Sequence, residues 1–361
     1  MLRIHHHVDP TALLPHRADV PRPGPGEILV HTEAVGVTLP SVRKVRESPV
    51  PVTLGGEVAG EVVEVGPGVE GFAVGERATG LCFVDAYAEF AVLRHDMASR
   101  IPARARAVDA VALVRSGTVA RGAYEAGHVR PGESVLVTAA AGGVGSLALQ
   151  LAAAGGAGRV VAAVGSAEKA AFVRELGADD VVLYEELREE GGSYDVILDG
   201  VGGELLGPCV RSLTMGGRLV AFSSGGGTVE AYELLLRGAT MTGFQIRAVA
   251  TGRPETYARW VRELWESWGA GGLRTVVHEE IPLAEAARAH AVVEQRRNLG
   301  KVVLVRTAPR EPGCGRGPRG GQDESAGLGS FSSWQLGHGR YWLRRTPRGG
   351  PARESRRGIR E

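Results

Sequence analysis

One segment limits the fold more than any other. An apolar run, Ser134-Val135-Leu136-Val137-Thr138-Ala139, passes directly into Ala140-Ala141-Gly142-Gly143-Val144-Gly145 and then into a helix-forming stretch, Ser146 to Ala154. Strand, glycine turn and helix in this order open a βαβ unit, which needs a parallel sheet with crossover helices. Gly142 leaves the backbone free to approach a pyrophosphate, and Gly145 lets the helix pack closely on the strand. The N–H groups at the helix start, around Gly143 and Val144, point at negative charge. Ala140 stands where the common fingerprint has its first glycine, which makes this the AxGxxG variant. Many strand-to-helix turns use glycine with no ligand present, so the surrounding pattern has to carry the specificity.

That pattern continues at the end of the next strand, about 20 residues on, where such folds read the ribose. The sequence there is Val160-Val161-Ala162-Ala163-Val164-Gly165-Ser166-Ala167-Glu168-Lys169. The acidic residue that would accept bonds from a free 2′-hydroxyl is replaced by Gly165 and Ser166. A carboxylate at that point repels a 2′-phosphate, whereas a hydroxyl and an ammonium bind it, so Ser166 and Lys169 favour NADPH over NADH. The alternative makes Lys169 an ordinary solvated helix lysine.

The 361 residues exceed what one core usually organises, so two domains are expected. Residues 21–37 and 57–92 read as short strands punctuated by Pro and Gly. From about residue 108 strands and helices alternate: strands at 134–139, 159–164, 181–183, 195–198 and 217–222, helices at 143–154, 167–176 and 203–213. A helix over 254–270, a strand near 275–278, a helix opened by Pro282 that runs to about Glu294, and a last strand, Val302 to Val305, follow. Residues 307–361 lose periodicity and hold 12 Gly, 5 Pro and 11 Arg against 5 acidic residues, which reads as a disordered tail. Trp334, Tyr341 and Trp342 among those arginines would suit single-stranded nucleic acid; a solvated appendage is the plainer alternative.

Without the tail the chain carries 31 basic and 36 acidic residues, an acidic body that argues against nucleic acid as its main partner. Cys82, Cys209 and Cys314 have no paired spacing, so neither a disulfide framework nor a four-cysteine zinc lobe is expected. No apolar run reaches 18 residues and no leader pattern opens the chain, so a cytoplasmic protein without membrane contact is expected. His5, His6 and His7 read as an exposed strand edge in preference to a metal-binding tract.

Eight blocks in order give the chain a wider resemblance: AVGV (34–37), GGEVAGEVVEVGPGVEGFAVGERATG (55–80), AYAEFAVL (86–93), RPGESVLVTAAAGGVGSLALQLA (130–152), AEKAAFVRELGADDVVLY (167–184), YDVILDGVGGELL (194–206), GGRLVAFSSGGG (216–227) and NLGKVVL (298–304). In this it resembles the medium-chain dehydrogenase/reductase superfamily, in its zinc-independent quinone oxidoreductase and enoyl reductase branch. The resemblance covers about residues 20–306. It implies an α/β fold, a GroES-like β domain beside a Rossmann doubly wound parallel sheet, with a cleft between them. The division is then 1–110 as the first part of a GroES-like catalytic domain and 111–247 as a Rossmann NADPH-binding domain. Residues 248–306 return to complete the Rossmann edge and the catalytic domain, and 307–361 form the Gly/Arg-rich tail. A homodimer is also implied.

Carried over by position, Tyr184 borders the adenosine and Ser223, Ser224 and Gly225 lie beside the nicotinamide ribose. Gly243, Phe244 and Gln245 flank the carboxamide, Val201 belongs to the cofactor wall, and Lys301 is the late lysine near the cofactor. Ser116 and Thr118 lie where the domain junction approaches the cofactor. Each is equally readable as a turn or core residue.

The departures from the family pattern matter as much. Zinc-dependent relatives carry a cysteine after the AVGV-like segment and a His-Glu pair after a glycine. Here Val37 leads to Thr38-Leu39-Pro40-Ser41 and Gly55 to Gly56-Glu57, so no metal is expected and Glu57 reads as a buried structural carboxylate. Without a zinc to polarise an alcohol, hydride transfer needs a quinone, an enone or an enoyl thioester as the small-molecule acceptor. Zinc-free relatives often place Asn, Asp and Tyr after AVGV; Thr38, Ser41 and Arg43 hold those positions here, which makes Ser41 and Arg43 the catalytic candidates. Arg43-Lys44-Val45-Arg46 also reads as a solvated basic loop. The competing function is a non-catalytic NADPH-binding sensor or structural protein.

Overall fold

The computed structural model describes residues 1–8, 11–189, 191–222 and 225–306. Two sheets organise them. Ahead of the first comes a hairpin apart from both, β1 (Leu2–Val8) and β2 (Thr11–Arg17), in which period-two alternation turns Ile4 and His6 inward and His5 and His7 outward. The sheet itself takes β3 (Glu27–Gly36), β4 (Gly56–Val65), β5 (Arg77–Cys82), β6 (Phe90–Arg94) and β7 (Ala98–Arg100). Between β3 and β4 lies α1 (Leu39–Glu47).

The basic stretch 43–46 is therefore helical, where the sequence read as a loop. Thr38 caps the helix by accepting from the Ser41 N–H at 3.3 Å, Pro40 sits in the first turn, and Val42 and Val45, three apart, are buried together. Arg43 and Arg46 share the one carboxylate of Glu47, so the face remains net positive.

The long helix α2 (Ala107–Ala126), buried through Ala, Val and Gly residues along most of its length, leads into the second sheet. There follow β8 (Ser134–Val137), α3 (Gly143–Ala154), β9 (Arg159–Val164), α4 (Ala170–Glu175), β10 (Asp180–Leu183), α5 (Tyr184–Glu189), β11 (Tyr194–Asp199), α6 (Leu206–Arg211), β12 (Leu213–Ala221), α7 (Ala231–Arg237) and β13 (Thr240–Gly243). All six strands are parallel in the order β10-β9-β8-β11-β12-β13. Strand order therefore reverses between β8 and β11, the place where doubly wound sheets open a ligand crevice. Leu136, Val161 and Ile197 have no exposed surface or almost none, as a sheet covered on both faces requires.

Helices α8 (Ile246–Gly252) and α9 (Pro254–Gly269) pack beside α2, with Trp260 and Tyr257 fully buried. The chain then adds β14 (Val277–Pro282), α10 (Ala286–Glu294) and β15 (Lys301–Val305). Both strands return to the first sheet, ordered β14-β15-β3-β4-β5-β7 with β6 also on β3. Both sheets fall within one compact unit.

Helix α3 and strand β9 have the expected bounds, whereas β12 starts four residues before the anticipated 217. Helix α7 and strand β13 were not anticipated. No residue of either is buried, so the apolar periodicity that reveals packed elements is missing. Among the described residues no helix is long and apolar enough to cross a membrane. The expectations for 307–361 concern residues outside those described.

Candidate active site

A cavity of about 510 Å³ opens along the crevice between β8 and β11 and runs to α1 and β15 of the other sheet. Its floor is the glycine turn. Gly142 N-caps α3 in extended conformation, and no side chain caps that helix and no acidic residue occupies its first turn. Gly143, Val144 and Gly145 line the cavity at this helix start, which among the described residues has no side-chain cap, the arrangement an anion needs. Ala139 bends the chain in the left-handed region (φ 51°), bringing its carbonyl under the helix start. A Cβ on residue 145 would stand 2.2 Å from that carbonyl oxygen, so the turn admits only glycine there.

Across the reversal point Asp199, fully buried at the end of β11, shapes the opposite wall. Its carboxylate accepts from Thr138 Oγ1 at 2.7 Å, Val201 N–H at 3.0 Å and Gly202 N–H at 2.9 Å. Thr138 Oγ1 in turn accepts from Gly200 N–H at 2.8 Å. One aspartate thus ties the ends of two strands together and fixes the course of residues 200–202 past the cavity.

At the β9 end the wall is Gly165, Lys169, Tyr184, Arg188 and Arg296. The Tyr184 hydroxyl accepts from the Ala139 N–H at 3.2 Å, and burial pushes its phenol pKa up. Lys169 Nζ donates to the Arg296 carbonyl, and its ammonium pKa is lowered by burial first and by the Arg296 charge second. Lys169, Arg188 and Arg296 are thus gathered at one end of the cavity, and desolvation makes a bound anion worth more to Lys169 than to a solvated lysine.

At the other end, three charges from distant parts of the chain meet. Glu57 on β4 is completely buried; Lys301 Nζ pairs with its Oε1, and Arg115 Nε on α2 lies 3.6 Å from its Oε2. Burial lowers the Lys301 pKa and Glu57 opposes that shift. The cluster is positioned by backbone. Gly300 N–H donates to the Ala141 carbonyl at 2.7 Å, and Gly142 and Gly300 form an isolated parallel bridge. This seats Lys301 against the glycine turn, its Cδ 3.3 Å from where a Cβ on Gly143 would stand, with Ser116 Oγ equally close.

Of the residues singled out by sequence, Arg43, Ser116, Gly142, Gly143, Val144, Gly145, Lys169, Tyr184, Val201, Gly225 and Lys301 line this cavity. Four others do not. Ser41 is buried and donates to the Gly55 carbonyl at 2.6 Å, serving the loop behind α1. Thr118, also buried, donates to the Arg115 carbonyl within its own helix. Phe244 turns toward Gly122 and Trp260, its ring 6.1 Å from the indole, and Ser166 stands before the short turn that carries Lys169. Gln245 caps α8 by accepting from the Ala248 N–H. Ser223 and Ser224 lie outside the described residues. Sequence reading missed Arg115, Asp199, Arg188 and Arg296. Only Arg296 had a visible signal, the Arg-Arg-Asn run just before the Leu-Gly-Lys block.

His5 and His7 stand on the outer face of the first hairpin, with ring centroids 5.0 Å apart and His16 5.1 Å from His5. His6 is buried and its Nδ1 accepts from Val52 N–H. Among the described residues no three His, Cys, Asp or Glu side chains are grouped as a metal site.

A class of protein follows from the crevice at a strand-order reversal, the uncapped helix above a glycine turn, and a second sheet completed by the chain's return: a two-sheet nucleotide-binding oxidoreductase. Comparison with known proteins makes the class specific. Residues 24–103 match the family described as "Alcohol dehydrogenase GroES-like domain", and residues 143–266 that described as "Zinc-binding dehydrogenase". The chain is 30% identical over 302 residues to quinone oxidoreductase-like protein 2 of Bos taurus, covering 79% of this chain and 86% of that one. It is also 30% identical over 319 residues to acryloyl-coenzyme A reductase of Metallosphaera sedula, covering 79% and 94%. The crystal structure of Escherichia coli quinone oxidoreductase complexed with NADPH superposes with a TM-score of 0.77 at 28% identity, covering 84% of this chain and all of that one. The chain belongs to the medium-chain dehydrogenase/reductase superfamily, in its zinc-independent quinone oxidoreductase branch.

Proposed function

We propose that this chain binds NADPH in the cleft and reduces a quinone or a conjugated carbon–carbon double bond, as an enone or an enoyl thioester. The observation that carries the proposal is the uncapped start of α3, set over a glycine turn with Lys169 and Arg296 at the β9 end and no carboxylate at Gly165. The residues fit the cofactor. The turn admits a pyrophosphate against free N–H groups, the two cations suit a 2′-phosphate, and Tyr184 borders the adenosine. Val201, Gly225, Ser116 and Lys301 line the remaining length toward the second sheet.

Bound there, NADPH supplies the hydride. The protein's own work is to orient the cofactor, exclude water with the apolar walls of Val119, Val144 and Phe222, and hold the acceptor's carbonyl. The proposal is tested by fluorescence titration with NADPH and NADH, then by NADPH oxidation over a panel of quinones and enones. Affinity tighter for NADPH and turnover with at least one acceptor are expected; no affinity for either nucleotide overturns the proposal.

A second reading, an NADPH-binding sensor without turnover, draws on Ser41. Its hydroxyl is engaged by Gly55, so that position offers no proton donor to the cleft. NADPH binding without oxidation by any acceptor would establish it.

The protein is further proposed to act as a cytoplasmic homodimer. The open edge strand β13 is exposed along its whole length, and beside it α7 carries Tyr232 and Leu235, 64% and 72% exposed. An unpaired edge flanked by apolar side chains invites a second copy. Leu235→Glu is expected to yield monomers in sedimentation, with the wild type sedimenting as a dimer.

A further inference from the structure

A zinc-free reductase still needs something to receive the electron pair that moves onto the acceptor's carbonyl oxygen when hydride arrives. The positions after AVGV do not provide it, since Ser41 is turned away and Arg43 is paired with Glu47. The Glu57 cluster does. Glu57 is one negative charge between Lys301 and Arg115, so the group carries a net positive charge at the cavity floor, beside the glycine turn. Lys301 is spent on Glu57 and is almost fully buried.

Arg115 differs. Its side chain is 18% exposed, it lines the cavity, and among the described residues its only ion pair is through Nε. Among the described residues none accepts a hydrogen bond from its guanidinium. Its two terminal nitrogens have no hydrogen bond or ion pair among the described residues, and the side chain lines the cleft. A guanidinium with unused donors at a cavity wall is suited to a planar carbonyl or an oxyanion.

We infer that Arg115 is a catalytic residue that holds the acceptor's carbonyl oxygen. This rests on the reading of the cleft as a reductase site. In the step it serves, a C–H bond forms at the acceptor as hydride leaves the dihydronicotinamide, which is oxidised. The acceptor is reduced, its electron pair comes to rest on the oxygen held by Arg115, and a solvent proton completes the enol or the saturated carbonyl; with a quinone, loss of the ring C–H proton to solvent and protonation of the second oxygen then give the hydroquinone. Glu57 is then a positioning residue that aims the guanidinium.

The test does not depend on turnover. 4-Nitrophenol, a ring the size of a simple quinone, is titrated with full-length protein and followed by its phenolate absorbance. In the wild type the bound probe is expected to ionise about one pH unit lower than in solution. In Arg115→Met that shift is lost, kcat/KM falls by roughly 100- to 1000-fold, and NADPH affinity stays within about twofold. A bound probe with its solution ionisation in the wild type overturns the inference whether or not the variant folds. So does a folded Arg115→Met that keeps the shift or the wild-type kcat/KM. Failure to bind NADPH, with the probe still ionising early, would strike the reductase reading and leave the oxyanion site of Arg115 standing.

Discussion

Two parts of the cleft are made of different materials. At the glycine turn the protein offers backbone: the uncapped start of α3 and a carbonyl that forbids a side chain at residue 145. Beside the turn it offers side chains, Glu57, Arg115 and Lys301, drawn from β4, α2 and β15. The first part is local and the second is assembled over the whole chain. A local device can be damaged at a single backbone position, whereas an assembled one fails through unbalanced charge.

Each half of that contrast can be broken separately. The largest effect is expected from Gly145→Val, whose side chain meets the Ala139 carbonyl. NADPH affinity should fall at least 1000-fold, about 4 kcal/mol, in a fluorescence titration. Glu57→Gln attacks the other part by leaving Lys301 and Arg115 together in a buried site without their anion. Denaturant unfolding should show a loss on the order of 3 kcal/mol while the nucleotide turn remains competent to bind.

A third test checks whether the first sheet has its own pH limit, apart from the cofactor half. His290 on α10, 3.1 Å from the Tyr87 hydroxyl, has its pKa lowered by burial to about 4, from the usual 6.5. The unfolded chain therefore binds the proton more readily. The stabilisation is present above about pH 6.5 and is lost as pH falls toward 4, which amounts to about 2 kcal/mol between pH 7 and pH 5. In His290→Gln that part of the acid slope should vanish from the unfolding curves. The smallest effect sharpens cofactor choice. Lys169→Ala should weaken NADPH about tenfold, near 1.4 kcal/mol, and leave NADH unchanged; equal losses for both would make Lys169 a solvated lysine after all.

The same contrast explains what could be read in advance. The strand, turn and helix from Ser134 to Ala154 state their structure in consecutive residues, because glycine spacing and apolar runs are local signals. Lys169 was found for the same reason, by distance along the chain from that turn, whereas Tyr184 came only with the family resemblance. Arg115 lies within a helix rich in Ala and Val, and nothing in its neighbours indicates that residues 57 and 301 will meet it. Ser41 misled in the opposite direction. Its position after AVGV suggested chemistry, but Thr38 nucleates a helix there and the Gly55 carbonyl captures the hydroxyl. Helix α7 and strand β13 escaped detection because none of their residues is buried, and Leu234 alone packs against the core.

The bridge between Gly142 and Gly300 has a consequence for how the protein is made. More than 150 residues separate its two halves, so a nascent chain can complete its six-stranded sheet and still lack Lys301 and the strand that seats it. The nucleotide cleft comes into being only when the residues around 300 have left the ribosome and closed against the turn. A ligand lying along that turn would grip both partners, and the amide hydrogens of Gly300 and Lys301 would then be among those whose exchange with solvent slows most when nucleotide is added.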